Sequence, residues 1–138
     1  MEISFSIPGT PKALKRHRHS FKNNVHRNYD PSADDKRTFL DLAFEHKPEK
    51  PLDCPISIDV VFYFDRPKSH FGTGKNKDVL KQNAPTWHTT TPDIDNLSKF
   101  IFDSFNGVFW RDDSLICQEI SQKLYSDNPS TLITINTL

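Results

Sequence analysis

Apolar and polar residues alternate along two segments of the chain, and this period of two predicts β-strands. The first segment covers residues 2–7 and ends at a Pro-Gly pair, and the second covers residues 55–64. The positions that share an apolar face are Ile3, Phe5 and Ile7 in the first segment and Ile56, Ile58, Val60, Phe62 and Phe64 in the second. Both segments are therefore expected to bury one face in a sheet.

Two other segments carry apolar residues at three- and four-residue spacings, which is typical of amphipathic helices. The first follows Asp30-Pro31, which resembles an N-cap and a first helical turn, and it should stop by Lys47-Pro48. The second begins near Asp95 and ends at Asn106-Gly107. The predicted buried positions are Phe39, Leu42, Ala43 and His46 in the first helix and Ile94, Leu97, Phe100, Ile101, Ser104 and Phe105 in the second.

The C-terminal region fits two patterns. Ile116, Ile120 and Leu124 suit either a helix or the inward positions of a strand. Turn residues at 126–130 and strand-like residues at 131–137 favour a β-hairpin. The predicted fold is therefore α+β, with a mixed sheet of about four strands and two main helices in one domain over residues 1–138.

Composition is that of a soluble globular protein, with 35% hydrophobic and 26% charged residues. Lys+Arg and Asp+Glu both number 18, so the net charge indicates no partner, but the charges are unevenly distributed. Two cysteines form no disulfide framework, and no apolar run is long enough for a membrane span. The N-terminus lacks the features of a signal peptide. The expected location is the cytoplasm, without membrane contact.

Residues 10–29 are basic and show no clear periodicity. From Lys12 to Tyr29 the chain has six Lys or Arg, three His and no acid. One interpretation is a loop that contacts phosphates, since Lys and Arg gain affinity by releasing counterions. The other is a solubilising loop, and both stay open.

Residues 66–91 are polar, rich in proline and too long for a simple connection, which favours a functional loop. Its lysines include Lys68, Lys75 and Lys77. Phosphate contact is one interpretation, and a flexible surface loop is the other. Trp87 is expected to pack at the core or its rim, with stacking on a displaced base as the alternative.

Five aspartates lie within residues 92–113, together with the single Lys99. Carboxylates this dense repel one another unless a cation neutralises them, and Mg²⁺ prefers such hard oxygen ligands. The pattern therefore indicates a metal-dependent phosphodiesterase site. A capped surface helix with ion pairs four residues apart is the simpler alternative. That alternative accounts for the helix face formed by Asp95, Lys99 and Asp103 but not for Asp93 or Asp112-Asp113.

The pattern D-x-D-N-L-x-K-x-x-x-D-x-x-N-G-x-x-W-x-D-D, from Asp93 to Asp113, closely resembles the RusA family of Holliday-junction resolvases. Residues 66–75 and His88-Thr89 look like the preceding segment of phage-type members, whereas the N-terminal half is similar in layout only. Many relatives have lysines where this chain has Thr90-Thr91. The resemblance implies a RusA-like fold and favours the same C-terminal hairpin.

The resemblance also implies a site. It assigns Asp93, Asp95 and Asp113 to a divalent metal and makes Lys99 necessary for cleavage. We expect Mg²⁺, with Mn²⁺ as an alternative ion, and a four-way DNA junction as the substrate. Asp103, Asp112 and Asn96 are expected beside the metal ligands. The expected DNA contacts are Lys12, Lys15, Arg16, Arg18, Lys22, Arg27, Lys68, Lys75 and Lys77.

A homodimer is expected, because two matching nicks need two equivalent sites. The aromatic residues of 100–110 are predicted to supply its interface. Two other function classes stay open: a Mg²⁺-dependent phosphohydrolase that acts on nucleotides, and a DNA-binding module without catalytic activity.

Overall fold

The computed structural model describes residues 1–15, 18–22 and 25–138, with the backbone alone over residues 18–22 and 25–28. Its secondary structure comprises six strands and two α-helices, joined by short 3₁₀ turns. The strands are β1 (Glu2–Pro8), β2 (Arg18–Lys22), β3 (Val25–Tyr29), β4 (Ile56–Phe64), β5 (Ile116–Tyr125) and β6 (Ser130–Thr137). The helices are α1 (Ala33–Ala43) and α2 (Ile94–Phe105).

Four strands form the main sheet, in the order β1-β6-β4-β5. Strand β6 is antiparallel to both β1 and β4, whereas β5 is parallel to β4. The sheet is therefore mixed, and with the two helices it confirms the predicted α+β fold. Strands β1 and β4 coincide with the two alternating segments.

The predicted C-terminal hairpin is wrong, because β4 lies between β5 and β6. Residues 126–129 do reverse the chain, but the reversal crosses β4 instead of joining neighbouring strands. The inward assignment of Ile120 is also wrong, since its side chain is 50% exposed. Burial explains the order: β6 carries the fully buried Ile133 and Ile135 and takes an inner position, whereas the more polar β5 takes the edge.

The basic segment 10–29 contains a two-stranded antiparallel ribbon, formed by β2 and β3. Sequence reasoning predicted a loop here because neither strand has an alternating apolar face. Backbone hydrogen bonds between two strands do not require such a face, so composition carried no signal for them.

Helix α1 differs from its predicted pattern at both ends. It begins at Ala33 instead of Pro31, after a turn in which the Ser32 backbone N–H donates to Asp30 Oδ1 at 2.9 Å. Phe39 and Ala43 are buried as predicted, but Leu42 is 49% exposed. The helix ends at Ala43, within the predicted limit, and a 3₁₀ turn follows.

The core lies between one face of the sheet and the two helices. Helix α2 buries its predicted stripe except at Ile94, which is 38% exposed in the first turn. The aromatic residues expected at a dimer interface mostly fill this core instead: Phe100, Phe105, Phe109 and Trp110 are each at most 1% exposed. Phe105 stacks on Phe109 with 4.2 Å between ring centroids. The interface prediction is therefore wrong for these four side chains, since packing within one chain already buries them.

None of the helices in the described residues combines the length and apolarity that a membrane crossing requires.

Candidate active site

The N-terminus of α2 presents two of the predicted site residues. Asp93 occupies the N-cap position with an extended backbone, and Asp95 lies in the first turn. Both side chains are exposed, and the Asn96 backbone N–H donates to Asp95 Oδ1 at 2.9 Å. Carboxylates are favoured here because the helix dipole is positive at this end. The local sequence alone thus accounts for both positions.

Helix α2 lies beside the edge strand β5, and a groove runs between them. Its lining includes Asp95, Lys99 and Glu119. The hydroxyls of Ser98, on α2, and Ser121, on β5, both donate to Glu119 Oε2 at 2.5 Å. The Ser98 hydrogen bond ties the helix to the strand at the level of the predicted site, and the Ser121 hydrogen bond lies within β5.

Sequence reasoning missed Glu119 as a residue of this groove. The residue belongs to β5, beyond the aspartate-rich motif, and reaches α2 only because β5 pairs with β4 in parallel register. A charged residue inside a strand was the one available signal. It did not reveal which face of the strand would meet the helix.

Asp93 lines a second depression at the same end of α2, together with Trp87, His88 and Lys123. The segment before Asp93 pairs with β5, because the His88 N–H donates to Lys123 O at 3.0 Å and the Tyr125 N–H donates to Thr86 O at 3.1 Å. Lys123 Nζ also donates to Thr90 O at 2.7 Å. The backbone that leads to Asp93 is therefore attached to the sheet.

Two aromatic side chains in this segment have contrasting environments. Trp87 is 56% exposed, so it is not a core residue. His88 is buried and stacks on Phe64 with 4.0 Å between ring centroids. Burial lowers the pKa of His88, and the positive charge of Lys123 lowers it further. His88 is therefore neutral at neutral pH, and within the described residues its Nδ1 has no hydrogen-bond partner.

Asp113 lies at the other end of α2, in a 3₁₀ turn that follows the buried Trp110. Trp110 Nε1 donates to Asp113 Oδ1 at 2.7 Å. Burial raises the pKa of Asp113, the Trp110 hydrogen bond opposes the rise, and the negative charges of Asp103 and Asp112 add to it. The pKa of Asp112 is lowered, because its carboxylate accepts hydrogen bonds from Ser114. The surroundings of Asp113 thus disfavour the charged form of its carboxylate.

Helix length separates the two groups of carboxylates. Asp103, whose charge acts on Asp113, lies eight residues after Asp95, and this corresponds to about 12 Å along the helix axis. In the described part of the chain, no three His, Cys, Asp or Glu side chains form a group that could hold a metal ion. The oxygen donors suit Mg²⁺ chemically, and a bound cation would stabilise the charged form of Asp113. The assignment of Asp93, Asp95 and Asp113 to one ion stays a prediction.

Lys99 lies between these groups on the exposed face of α2. The capped-helix alternative predicts ion pairs from Lys99 to Asp95 and Asp103. Asp103 instead lies 4.0 Å from Lys36 Nζ. Over residues 1–15 and 29–138, Lys99 has no carboxylate within 4.0 Å. The lysine is thus free to meet a ligand.

The predicted DNA-contacting residues fall into two groups. Lys12, Lys15, Lys68, Lys75 and Lys77 are all exposed. Lys15 Nζ lies 3.7 Å from the Asp35 carboxylate, and the contact is too exposed to add much stability. Arg16 lies outside the described residues, and so do the side chains of Arg18, Lys22 and Arg27.

Comparison with known proteins gives two findings. Residues 8–136 match the family model described as "Endodeoxyribonuclease RusA". The chain is also 32% identical over 135 residues to "Uncharacterized protein YqaN" of Bacillus subtilis (strain 168), a match that covers 96% of this chain and 94% of that protein. The family resemblance first inferred from residues 93–113 is confirmed and extends into the N-terminal half.

Proposed function

Because the chain belongs to the RusA family of endodeoxyribonucleases, we propose that it resolves four-way DNA junctions by paired, symmetric nicks during recombination and repair. One observation carries the proposal: the family match spans a helix that exposes Asp95 and Lys99 at one groove, with Asp93 at its N-cap in the neighbouring depression. Acidic groups beside an unpaired lysine suit cleavage of a phosphodiester, whose transition state gathers negative charge.

Asp93, Asp95 and Asp113 are the proposed ligands of the divalent ion, Mg²⁺ or alternatively Mn²⁺, although the described residues do not bring three such side chains together. When bound, the ion supplies positive charge beside a phosphate oxygen and acidifies water. Lys99 would act from its exposed position, either by stabilising the developing charge or by orienting water. Asn96 and Asp112 are the sequence neighbours of Asp95 and Asp113, and the charge of Asp103 acts on Asp113. These three residues would tune the charge and orientation of the ligands.

A radiolabelled four-way junction tests this function directly. With Mg²⁺ the protein should cut the junction symmetrically in two strands of the same polarity, and it should leave a linear duplex of the same sequence intact. Without metal, cutting should stop while binding continues. Release of phosphate from nucleotides without junction cleavage would favour the nucleotide phosphohydrolase. Metal-independent binding with no cleavage at all would favour the non-catalytic module.

The proposed symmetric cleavage predicts a homodimer in solution. One aspartate motif supplies one site, so matching nicks require two copies related by a twofold axis. The edge strand β5 offers apolar surface for such contact, since Ile120 is 50% exposed and faces away from α2. Sedimentation at micromolar concentration should give twice the mass of the 138-residue chain. A protein that stays monomeric even on junction DNA, and nicks one strand only, would contradict the dimer and paired resolution together.

A further inference from the structure

Residues 66–81 form a hydrogen-bonded unit that closes on itself. The Gly72 N–H donates to Val79 O and the Lys81 N–H donates to His70 O, both at 2.9 Å. A side chain at Gly72 would not fit, because its Cβ would lie 2.6 Å from Asn76 Cβ. The turn therefore has a defined shape that requires glycine at this position.

Arg66 attaches this unit to the sheet. Its Nη1 donates to Pro85 O at 2.6 Å, and its guanidinium carbon lies 5.1 Å from the centre of the Tyr125 ring, at the end of β5. From Pro85 the chain continues through the two hydrogen bonds to β5 and reaches Asp93. The unit is thus held at one place relative to the candidate active site.

A cavity of about 770 Å³ opens within the unit, in the size range of small-ligand sites. Four cations line it, namely Arg66, Lys68, Lys77 and Lys81, against the single acid Asp78. In the described part of the chain, none of the three lysines has a carboxylate within 4.0 Å. Like charges gathered without partners repel one another, so a bound anion would stabilise the arrangement.

Other groups at the cavity can donate hydrogen bonds to phosphate oxygens. The hydroxyl residues Ser69 and Thr73 line it, together with Gly74. Gly72 also lines it, but its N–H already donates to Val79 O. Lys75 belongs to the same turn but does not line the cavity. Lys77 and Lys75 therefore carry the same charge in the same turn, but only Lys77 lines the cavity.

We propose that this cavity binds a backbone phosphate of the DNA substrate, at a place distinct from the phosphate that is cut. The inference rests on the proposed function, since the fixed path from the cavity to Asp93 suits a DNA arm that leaves the cleavage site. The chemistry recognised is a phosphate group, which either DNA or free inorganic phosphate can supply.

Two substitutions in the same turn test the assignment. Lys77→Gln should weaken junction binding roughly three- to tenfold and flatten the dependence of log K on log salt by up to about one unit. Lys75→Gln removes the same charge two residues away and should have a clearly smaller effect. Lys50→Gln, on an exposed turn elsewhere, is the general control for charge loss. Fluorescence anisotropy without metal, at several salt concentrations, measures all three variants.

Inorganic phosphate separates the two sources of the ligand. It should shift the NMR signals of the Gly72 and Gly74 amides and compete with junction DNA. Equal losses for Lys75→Gln and Lys77→Gln would overturn the cavity in favour of diffuse surface charge. Phosphate that shifts these amides while Lys77→Gln binds junction normally would overturn the assignment to DNA. A wild-type protein that binds junction through Lys77 but never cuts it would contradict the proposed function alone.

Discussion

Asp95→Asn and Asp113→Asn are each expected to abolish junction cleavage and to leave junction binding unchanged or tighter. Each change removes one carboxylate charge that the metal needs, while the lost charge also reduces repulsion of phosphate. The fold should survive both changes. Asp95 is exposed on the first turn of α2, and an asparagine at 113 keeps an oxygen that can accept the 2.7 Å hydrogen bond from Trp110 Nε1.

Single-turnover cleavage in Mg²⁺, beside binding measured in Ca²⁺, checks this result. Ca²⁺ is larger and looser in its geometry, so it should support binding with poor cleavage. Asp41→Asn, an exposed aspartate on α1, is the matched control and should cut like the wild type. Retained cleavage in either active-site variant would contradict its assignment as a metal ligand.

Lys99→Ala is expected to lower the cleavage rate by roughly a hundredfold or more, the usual loss for one group that stabilises a transition state. The reason is its position on the exposed face of α2, at the groove shared with Asp95 and Glu119. Lys99 contributes nothing to the buried stripe of the helix, so thermal stability should barely change. Cleavage under saturating junction and Mg²⁺, with thermal melting alongside, measures both effects.

Two controls sharpen the Lys99 result. Lys99→Met keeps most of the apolar stem and loses the charge, so it should be as slow as Lys99→Ala if the charge matters. Lys50→Ala removes a lysine from an exposed turn elsewhere and should leave the rate unchanged. A Lys99→Ala protein that cuts normally but melts earlier would show that the lysine serves stability, as the capped-helix alternative holds.

Local pattern was sufficient for most of the secondary structure. Strands β1 and β4 follow from alternation, and α2 follows from its apolar spacing between Asp93 and Asn106. The edge strand β5 was ambiguous because an edge strand buries little and so keeps a weak pattern. The ribbon of β2 and β3 was missed for a similar reason, since pairing through the backbone leaves no apolar signature.

The candidate site was only partly predictable. The exposed positions of Asp93 and Asp95 at the N-terminus of α2, and of Lys99 one turn further along, follow from helical spacing alone. The groove partner Glu119 could not be found, because it reaches Ser98 through the parallel pairing of β5 with β4. The neighbours of Asp113 were likewise unpredictable. The turn after Trp110 places the Asp113 carboxylate where the charges of Asp103 and Asp112 act on it.

The sequence by itself determined the α+β class, the two helices, the family and the helix that bears the aspartates, because each depends on residues close together in the chain. Only the tertiary structure decided the strand order, the burial of Phe100, Phe105, Phe109 and Trp110 within one chain, and the contact of β5 with α2. Those features depend on which apolar faces compete for the same core. The packing that results joins residues far apart in sequence, and no local sequence pattern predicts which of them will pair.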